Sequence, residues 1–443
     1  MGATEISGFP TSLAVRLRVS ASMEPSAPVR SEAPRLIANP LAGRDKNVGS
    51  LCQSCRFVIL VAKPHCLSLG LWIDARSVRV LQLPSLSDFF EEVVMVSRTA
   101  HPAWLRASLI ALVLVATTST AADGIASYEF ATPLFGLATA PDGSLLVADA
   151  GNGIVELRKG VGSLVVALPG VTDVAPIGRG DMFATIGGGP GLTTGRLFRV
   201  SRGRARQIAD LYAFEAAVNP HPASVDSNPF DVEVLNGGIA VVADAGGNDL
   251  LMIDQASQVD WIAAFPNELV STADLKTLAG CPVLTPGFEF ICFLPPMLPA
   301  QPVSTSVAIG PDGAYYVGEL KGFPAPRGES RIWRIEPGTL HTQCPSAACT
   351  MVADGFTSIV DLTFGPAGTL YVVELDEASW AAVEFPFPGL GGTVNACDIS
   401  TWTCTEAATG LPMPIAATVD RNGTVYVAIN ALVPGDAEVI ALP

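Results

Sequence analysis

The sequence predicts an all-β fold, a six-bladed β-propeller built from four-stranded antiparallel blades. A turn glycine with a short apolar run on each side recurs six times, as in "TSVAIGPDGAYYVGE". A third apolar run follows most copies, for example "RIWRI", as expected of an antiparallel meander. The chain contains 42 Gly and 35 Pro, which suits many short strands joined by tight turns. Six meanders spaced by tens of residues are typical of a propeller with one meander per blade.

The elements of each blade can be located from the turn glycines. These are Gly143, Gly180, Gly238, Gly313, Gly368 and Gly423. The last copy, from Pro414 to Leu442, has room for only three strands. We therefore predict that "GIASYEF", at 124–130, supplies its fourth strand and closes the ring, because an open ring would leave strand edges unpaired.

A long insertion separates the third and fourth blades, at 265–302. It contains Cys281 and Cys292, and the sequence predicts a short helix near Leu269 to Leu278. Long loops on compact folds are often functional, so this segment is a candidate binding surface.

The segment from Met95 has the organisation of a secretory signal peptide. Arg98 and Arg106 precede an apolar stretch at 107–116, which is too short to span a bilayer, and small residues follow. An uncleaved anchor is the alternative. We expect a signal peptide at 95–122 and no stable membrane span after its cleavage.

The signal peptide divides the chain into three parts. Residues 1–94 are predicted to be a disordered extension or an over-long gene assignment with Met95 as the true start. Residues 123–443 form the predicted propeller. The expected location is secreted or periplasmic.

Residues 95–443 carry 16 basic and 34 acidic side chains, and so acidic a surface repels phosphate backbones. Nucleic acid is therefore excluded as a partner.

Six cysteines follow the signal peptide and fall in three local pairs. An even number of cysteines in an exported chain predicts disulfides, each worth about 2–3 kcal/mol in the chain-entropy model. The predicted pairs are Cys281–Cys292, Cys344–Cys349 and Cys397–Cys404.

Acidic residues recur at two fixed distances from the turn glycines. Six residues after the glycine stand Asp149, Asp244, Glu319 and Glu374, and seven residues before it stand Asp173, Asp231 and Asp361. In a meander, strand one begins where strand two ends, so we expect both sets on one face, around the mouth of the central channel. Clustered carboxylates repel unless they bind cations, share protons or accept hydrogen bonds.

Two interpretations of these acids remain open. An acid that ends strand two can accept backbone N–H groups of the following turn, which favours a structural role there. The acids of strand one occur in only some blades, as expected of a site. If the cluster binds a metal, oxygen ligands favour Ca²⁺. The candidate ligands are Asp173, Asp231, Asp361, Asp244, Glu319 and Glu374.

Other chemistries lack support in the sequence. The mature segment contains only two histidines, His221 and His341, both in predicted loops where we expect them to be solvated. Residues 123–443 contain no nucleophile elbow, P-loop or dinucleotide fingerprint. Asp361 is the candidate catalytic base if the protein is an enzyme.

Three segments carry a resemblance to a known family. "SNPFDVEVLNGGIAVVADAGGNDLLMID", "QPVSTSVAIGPDGAYYVGELKGFPAPRGESRIWRIEPG" and "GFTSIVDLTFGPAGTLYVVEL" resemble the ScyD/ScyE family, exported proteins named after the biosynthesis of the pigment scytonemin. The similarity extends over about 124–443 and, more distantly, to NHL-repeat and TolB-like propellers. The resemblance implies secretion and a six-bladed propeller, and it does not imply any catalytic residue.

These observations give two functional expectations. The first is an exported binding or scaffold module for an unknown small molecule or protein, with a link to secondary-metabolite maturation implied by the resemblance alone. The alternative is a Ca²⁺-dependent hydrolase or lactonase on the acidic channel face, in which the cation polarises a carbonyl and Asp361 acts as base.

Overall fold

The computed structural model describes residues 71–74, 77–80, 127–188, 194–222, 225–283 and 285–443. Strands β1 (Leu71–Asp74) and β2 (Ser77–Val80) pair as an antiparallel hairpin, in a compact unit separate from the one that holds 123–443. The remainder of the expected extension and the expected signal peptide at 95–122 lie outside the described residues.

The second unit is a six-bladed propeller, as predicted, and its strands follow the meander order of the sequence. Blade 1 consists of β4 (Leu134–Thr139), β5 (Leu145–Asp149), β6 (Gly153–Arg158) and β7 (Val161–Ala167). Blade 2 consists of β8 (Val171–Pro176), β9 (Asp181–Ile186), β10 (Arg196–Ser201) and β11 (Arg204–Asp210). Blade 3 consists of β12 (Pro229–Leu235), β13 (Ile239–Asp244), β14 (Asp249–Ile253) and β15 (Val259–Ala264).

The later blades repeat the pattern with longer connections. Blade 4 consists of β18 (Ser304–Ile309), β19 (Tyr315–Glu319), β20 (Ser330–Ile335) and β22 (Cys349–Phe356). Blade 5 consists of β23 (Ile359–Phe364), β24 (Leu370–Glu374), β25 (Gly392–Asp398) and β26 (Thr403–Leu411). Blade 6 consists of β27 (Ala416–Val419), β28 (Val425–Ile429), β29 (Ala437–Ala441) and β3 (Tyr128–Phe130). A two-residue strand, β21 (Thr342–Gln343), adds to β15 in parallel.

The ring is closed by the strand that precedes blade 1 in sequence. β3 pairs antiparallel with β29, with Phe130 opposite Ala437, which confirms the predicted closure. Phe130 is buried, so the closing strand also contributes to the core. The first strands of the six blades, β4, β8, β12, β18, β23 and β27, contact one another in order and surround the channel.

The six anchor glycines have backbone angles that only glycine adopts readily. Their φ values lie between 74° at Gly238 and 89° at Gly143. A side chain at positive φ is strained, so this backbone requirement explains why the repeat is visible in the sequence. The second strands that follow are wholly buried in β5, β19 and β28, because apolar blades pack against each other on both faces.

The insertion between blades 3 and 4 is an ordered subdomain. β16 (Glu268–Ser271) pairs with β17 (Met297–Ala300), and two short helices lie between them, α2 (Ala273–Leu278) and α3 (Glu289–Cys292). The predicted helix therefore begins at Ala273 instead of Leu269, because Leu269 belongs to the hairpin. Two further short helices, α1 (Leu211–Ala217) and α4 (Ala381–Glu384), were not predicted from the sequence.

All three predicted disulfides are present. Cys281–Cys292 lies within the insertion, Cys344–Cys349 precedes the last strand of blade 4, and Cys397–Cys404 joins β25 to β26. Within the described part of the chain, no helix is long and apolar enough to cross a membrane.

Candidate functional site

The central channel contains a cavity of about 250 Å³ lined by five of the six first strands. The lining segments are Leu137–Thr139, Asp173–Pro176, Asp231–Val234, Asp361–Phe364 and Ala417–Val419. Each segment is the C-terminal part of its strand. The cavity therefore extends from the aspartates towards the end at which the first strands finish. The aspartates lie at one end of this cavity.

Three aspartates of this channel join neighbouring blades. Asp173 Oδ2 accepts the backbone N–H of Val232 at 3.0 Å, and Asp231 Oδ2 accepts that of Val307 at 2.7 Å. Asp361 Oδ2 accepts the N–H of Ala417 at 2.6 Å. Each acceptor satisfies a buried amide on the first strand of the next blade, which is costly to leave unpaired. The strand-one acids thus have a structural role in addition to facing the channel.

The equivalent positions of the other blades explain why the pattern is incomplete. A Cβ atom at Gly136 would lie 2.1 Å from Asp173 Oδ1, so only glycine leaves room for that carboxyl group. In blade 4 the equivalent residue is Ser306, whose buried hydroxyl has no hydrogen-bond partner among the described residues.

Burial and proximity shift the pKa values of these acids upward. Burial raises the pKa of Asp231 to about 6. Burial, followed by the neighbouring Asp231 carboxylate, raises the pKa of Asp173 and that of Asp361 well above 3.8. A proton on either Asp173 or Asp231 relieves the repulsion between these two neighbouring carboxylates.

Glu233 is a channel acid that the sequence analysis missed. It stands two residues after Asp231 on β12, so the alternation of the strand places both side chains on the channel side. Its hydrogen bond among the described residues is a weak one at 3.3 Å from Val234 N–H. Burial, followed by the charge of Asp231, raises the pKa of Glu233 to about 8. The spacing "DVE" on an inner strand was the signal that could have identified it.

The strand-two acids do not line the cavity, and two of them accept the turn amides as the structural interpretation predicted. Asp149 Oδ1 accepts the N–H groups of Gly151 and Asn152, both at 3.1 Å. Asp244 Oδ1 accepts those of Gly246 at 3.1 Å and Gly247 at 2.9 Å. These carboxylates are occupied by the backbone of their own blades.

Glu374 makes a different set of bonds from the same position. Glu374 accepts the backbone N–H of Thr357, which lies just before the first strand of the same blade. It also accepts the side-chain amide of Asn395 at 2.6 Å. Burial raises the pKa of Glu374 to about 7.

Glu319 forms a buried ion pair instead of capping a turn. Its Oε2 lies 2.7 Å from Lys321 Nζ, and its Oε1 accepts the indole N–H of Trp333 at 2.5 Å. Lys321 is fully buried and also contacts Glu268 Oε2 at 2.6 Å. Burial raises the pKa of Glu319 although Lys321 opposes the shift. Because Glu268 belongs to β16, the contact between Lys321 and Glu268 joins the insertion to blade 4.

The described residues contain no group of three or more His, Cys, Asp or Glu side chains arranged to hold a metal ion. His341 Nε2 lies 2.6 Å from Asp260 Oδ1 near the surface. The expectation that His221 is solvated was wrong, because the loop folds inward and leaves that side chain 2% exposed. Burial lowers the pKa of His221.

The chain matches no family model and no curated protein, but it is similar to solved propellers. One is the virginiamycin B lyase of Staphylococcus aureus, at 12% identity and a TM-score of 0.39, with 68% of this chain and 80% of that chain covered. Another is a gluconolactonase from Xanthomonas campestris, at 12% identity and a TM-score of 0.42, covering 74% and 94%. A third is the aldose sugar dehydrogenase of Streptomyces coelicolor, at 11% identity and a TM-score of 0.43, covering 72% and 95%. These similarities concern the β-propeller fold.

Proposed function

We propose that the protein is an exported binding module whose central channel holds a small organic cation, such as a primary amine or a guanidinium compound. The carrying observation is the composition of the cavity. Four acids, Asp173, Asp231, Glu233 and Asp361, line it, and none of the described residues that line it is Lys, Arg or His.

A cation is the ligand that these acids favour on physical grounds. Burial without counter-charge raises their pKa values, and Glu233, whose pKa is about 8, retains its proton at neutral pH. A bound ammonium or guanidinium group would stabilise the ionised carboxylates through charge-assisted hydrogen bonds. The cavity of about 250 Å³ is below the range of roughly 300–1,000 Å³ for drug-sized ligands, which favours a small molecule.

Hydroxyl groups add acceptors and donors to the acidic end. Thr139, Thr363 and Thr418 also line the cavity, and the hydroxyls of Thr139 and Thr418 lie 3.1 Å apart. A ligand with a cationic head and a polar body would therefore find partners along the channel.

Calorimetry on residues 123–443 tests this proposal. Butylamine and agmatine serve as cationic probes, with erythritol as a neutral polar probe and CaCl₂ as the metal alone. We expect the amines to bind, and we expect their affinity to rise between pH 5.5 and pH 8.5. Over this range Asp231 and Glu233, with pKa values of about 6 and 8, lose their protons, and the ionised carboxylates bind a cation more tightly. Erythritol should show no such increase.

Glu233→Gln is the matched variant for the site, since it removes a charge and keeps the shape. It should weaken amine binding by about tenfold, which corresponds to roughly 1.4 kcal/mol, and it should reduce the pH dependence of the affinity. Glu129→Gln, on the exposed face of β3, controls for loss of one surface charge. Equal binding of butylamine and erythritol, or unchanged binding in Glu233→Gln, would overturn the proposal.

A hydrolase or lactonase is a second candidate because of Glu233. Asp361, the base expected from the sequence, already accepts the N–H of Ala417. Among the described residues, Glu233 accepts one weak hydrogen bond, from the N–H of Val234. An acid with a pKa of about 8 is protonated at neutral pH and can donate to a leaving group. A screen of lactones and esters, with Ca²⁺ and with a chelator, tests this candidate. Turnover that persists in Glu233→Gln, or none at all, would exclude Glu233 as its acid.

Export and a role with a secreted metabolite or a protein partner remain part of the proposal. The three disulfides support an oxidising location. Mass spectrometry of the extracellular fraction should find a mature N-terminus near Ala122. The link with metabolite maturation rests on the resemblance alone, and an unchanged exported metabolite profile after gene deletion would remove it.

A further inference from the structure

A second pair of acids is buried between blades 2 and 3, away from the channel. Glu215 lies on α1, which follows the last strand of blade 2, and Asp249 begins β14 of blade 3. Both side chains are 0% exposed. They meet beside Gly247, where a Cβ atom would lie 3.0 Å from Asp249 Oδ1 and 3.2 Å from Glu215 Cδ.

The four carboxyl oxygens of this pair have no other partner. Among the described residues, no N–H or O–H donor reaches any of them. Two buried carboxyl groups beside the same glycine, with no donor from elsewhere, can form a hydrogen bond to each other only if one of them carries a proton. Two ionised carboxylates at this separation, removed from water, would repel strongly.

The groups around the pair are also acidic. Asp244, at the end of β13, and Asp226, before β12, both act on Glu215 as negative charges. The nearby Arg196 at the start of β10 contacts Asp210, the residue that caps α1. The surroundings thus disfavour a second negative charge on the pair.

We propose that Glu215 and Asp249 form a proton-dependent latch, in which one shared proton holds the C-terminal end of α1 against blade 3. Loss of that proton to solvent leaves two buried carboxylates, and their repulsion releases this end of the helix. Leu211 and the partly buried Phe214 pack in the apolar cluster of blades 2 and 3, so the start of α1 stays anchored.

The pH range of the latch follows from the shared proton. Burial, followed by the negative charge of Asp244, raises the pKa of Glu215 to about 8. A group that is protonated in the closed state and ionised in the open state favours closure below its pKa. The latch is therefore closed at neutral and acidic pH and opens as the pH rises above about 8.

Hydrogen exchange of the intact propeller, followed by mass spectrometry from pH 6 to pH 9.5, tests the latch. After correction for intrinsic rates, peptides over 211–222 should exchange about tenfold faster for each pH unit above the pKa of the pair. Peptides from β24, in blade 5, provide the internal reference. Thermal unfolding of each sample confirms that the propeller itself remains folded.

Substitutions distinguish the latch from a loosening of the whole propeller at alkaline pH. In Glu215→Gln the amide can donate to Asp249 at any pH, so α1 should stay protected throughout. Asp249→Asn offers the same bond in reverse and is the second variant if the first does not fold. Glu129→Gln should behave as wild type. A wild-type α1 that exchanges no faster at pH 9.5 than at pH 6, or an unchanged pH dependence in the amide variants, would overturn the proposal.

Discussion

The acid side chains of this propeller divide by the groups that donate to them. Asp149 and Asp244 accept amides of their own turns, whereas Asp231 and Asp361 accept amides of the next blade. Glu233 has only a weak bond from its neighbour, which leaves its carboxyl group available to a ligand. These acids stand at three different positions relative to the turn glycine, and their hydrogen-bond partners differ accordingly. The partners therefore decide which acids are structural.

The bond from Asp361 to the next blade can be tested with two substitutions. Asp361→Ala should lower the free energy of unfolding by about 1–3 kcal/mol, because the buried N–H of Ala417 loses its acceptor. Asp361→Asn keeps a carbonyl oxygen in place and should cost less. Urea unfolding of both variants measures the difference. Equal losses would show that the bond to Ala417 contributes little.

Glu319 should matter for stability and not for ligand capture. Glu319→Gln breaks a fully buried ion pair and should cost about 3 kcal/mol, at the low end for such pairs, because Glu268 still neutralises Lys321. The double variant Glu319→Gln with Lys321→Met should recover much of the loss. Urea unfolding gives both values, and calorimetry with butylamine should show unchanged affinity. A large loss of amine binding in Glu319→Gln would contradict this assignment.

Among the structural elements, the insertion is the clearest addition to the repeat. Its hairpin, two helices and disulfide form a local unit that Glu268 joins to blade 4 through Lys321. Its outer side exposes large apolar side chains, among them Val283 at 76% and Phe293 at 77%. The unit also packs Leu275, Ala279 and Ile291 into an apolar cluster that contains side chains of the ring. Its disulfide closes a loop inside the insertion, so we expect loss of that bond to act locally first.

Removing the insertion disulfide should therefore loosen the insertion first. Cys281→Ser with Cys292→Ser removes a short-loop constraint worth about 3 kcal/mol in the chain-entropy model. Limited proteolysis should cut 273–292 faster, while the main thermal transition moves little. The matched control, Cys397→Ser with Cys404→Ser, removes a bond within a blade and should lower the main transition instead. Identical behaviour of the two variants would indicate that the insertion unfolds together with the ring.

For the whole molecule, the buried acids predict how stability depends on pH. Folding raises the pKa values of Asp231 to about 6, Glu374 to about 7 and Glu233 to about 8, above ordinary values of 3.8 to 4.5. Between these limits the folded state binds more protons than the unfolded state, so stability falls as the pH rises. The contribution is fully present below about pH 4 and is lost by about pH 8.

Urea unfolding at pH 5, 6.5 and 8.5 measures this slope. We expect the midpoint to fall steadily over this range, and the fall to be smaller in Glu233→Gln, which cannot lose a proton. Glu129→Gln, exposed on β3, should keep the wild-type slope. A midpoint that rises with pH would contradict the upward pKa shifts.

The local features of this protein were readable because each depends on neighbours in sequence. The glycines at the turns need positive φ, the flanking runs need burial, and each cysteine pair is close in sequence. Six blades and the three disulfides could therefore be predicted. The closing strand is not local, but it could be predicted because the last copy of the repeat has room for only three strands. Asp149 and Asp244 also followed the prediction, since their turn partners lie two or three residues away.

Only the tertiary structure decided the roles that depend on distant residues. Glu319 was grouped with the channel acids because the repeat aligned it with them, yet it pairs with Lys321, which also contacts Glu268 of the insertion, 53 residues earlier in the chain. Glu233 shares the channel with Asp231 of its own strand and with Asp361 of a distant blade, and Glu215 lies against Asp249 of another blade. Sequence alone determined the backbone pattern, because turns and strands are local. Burial and charge at a site are sums over distant neighbours, so they became known only once the ring was closed.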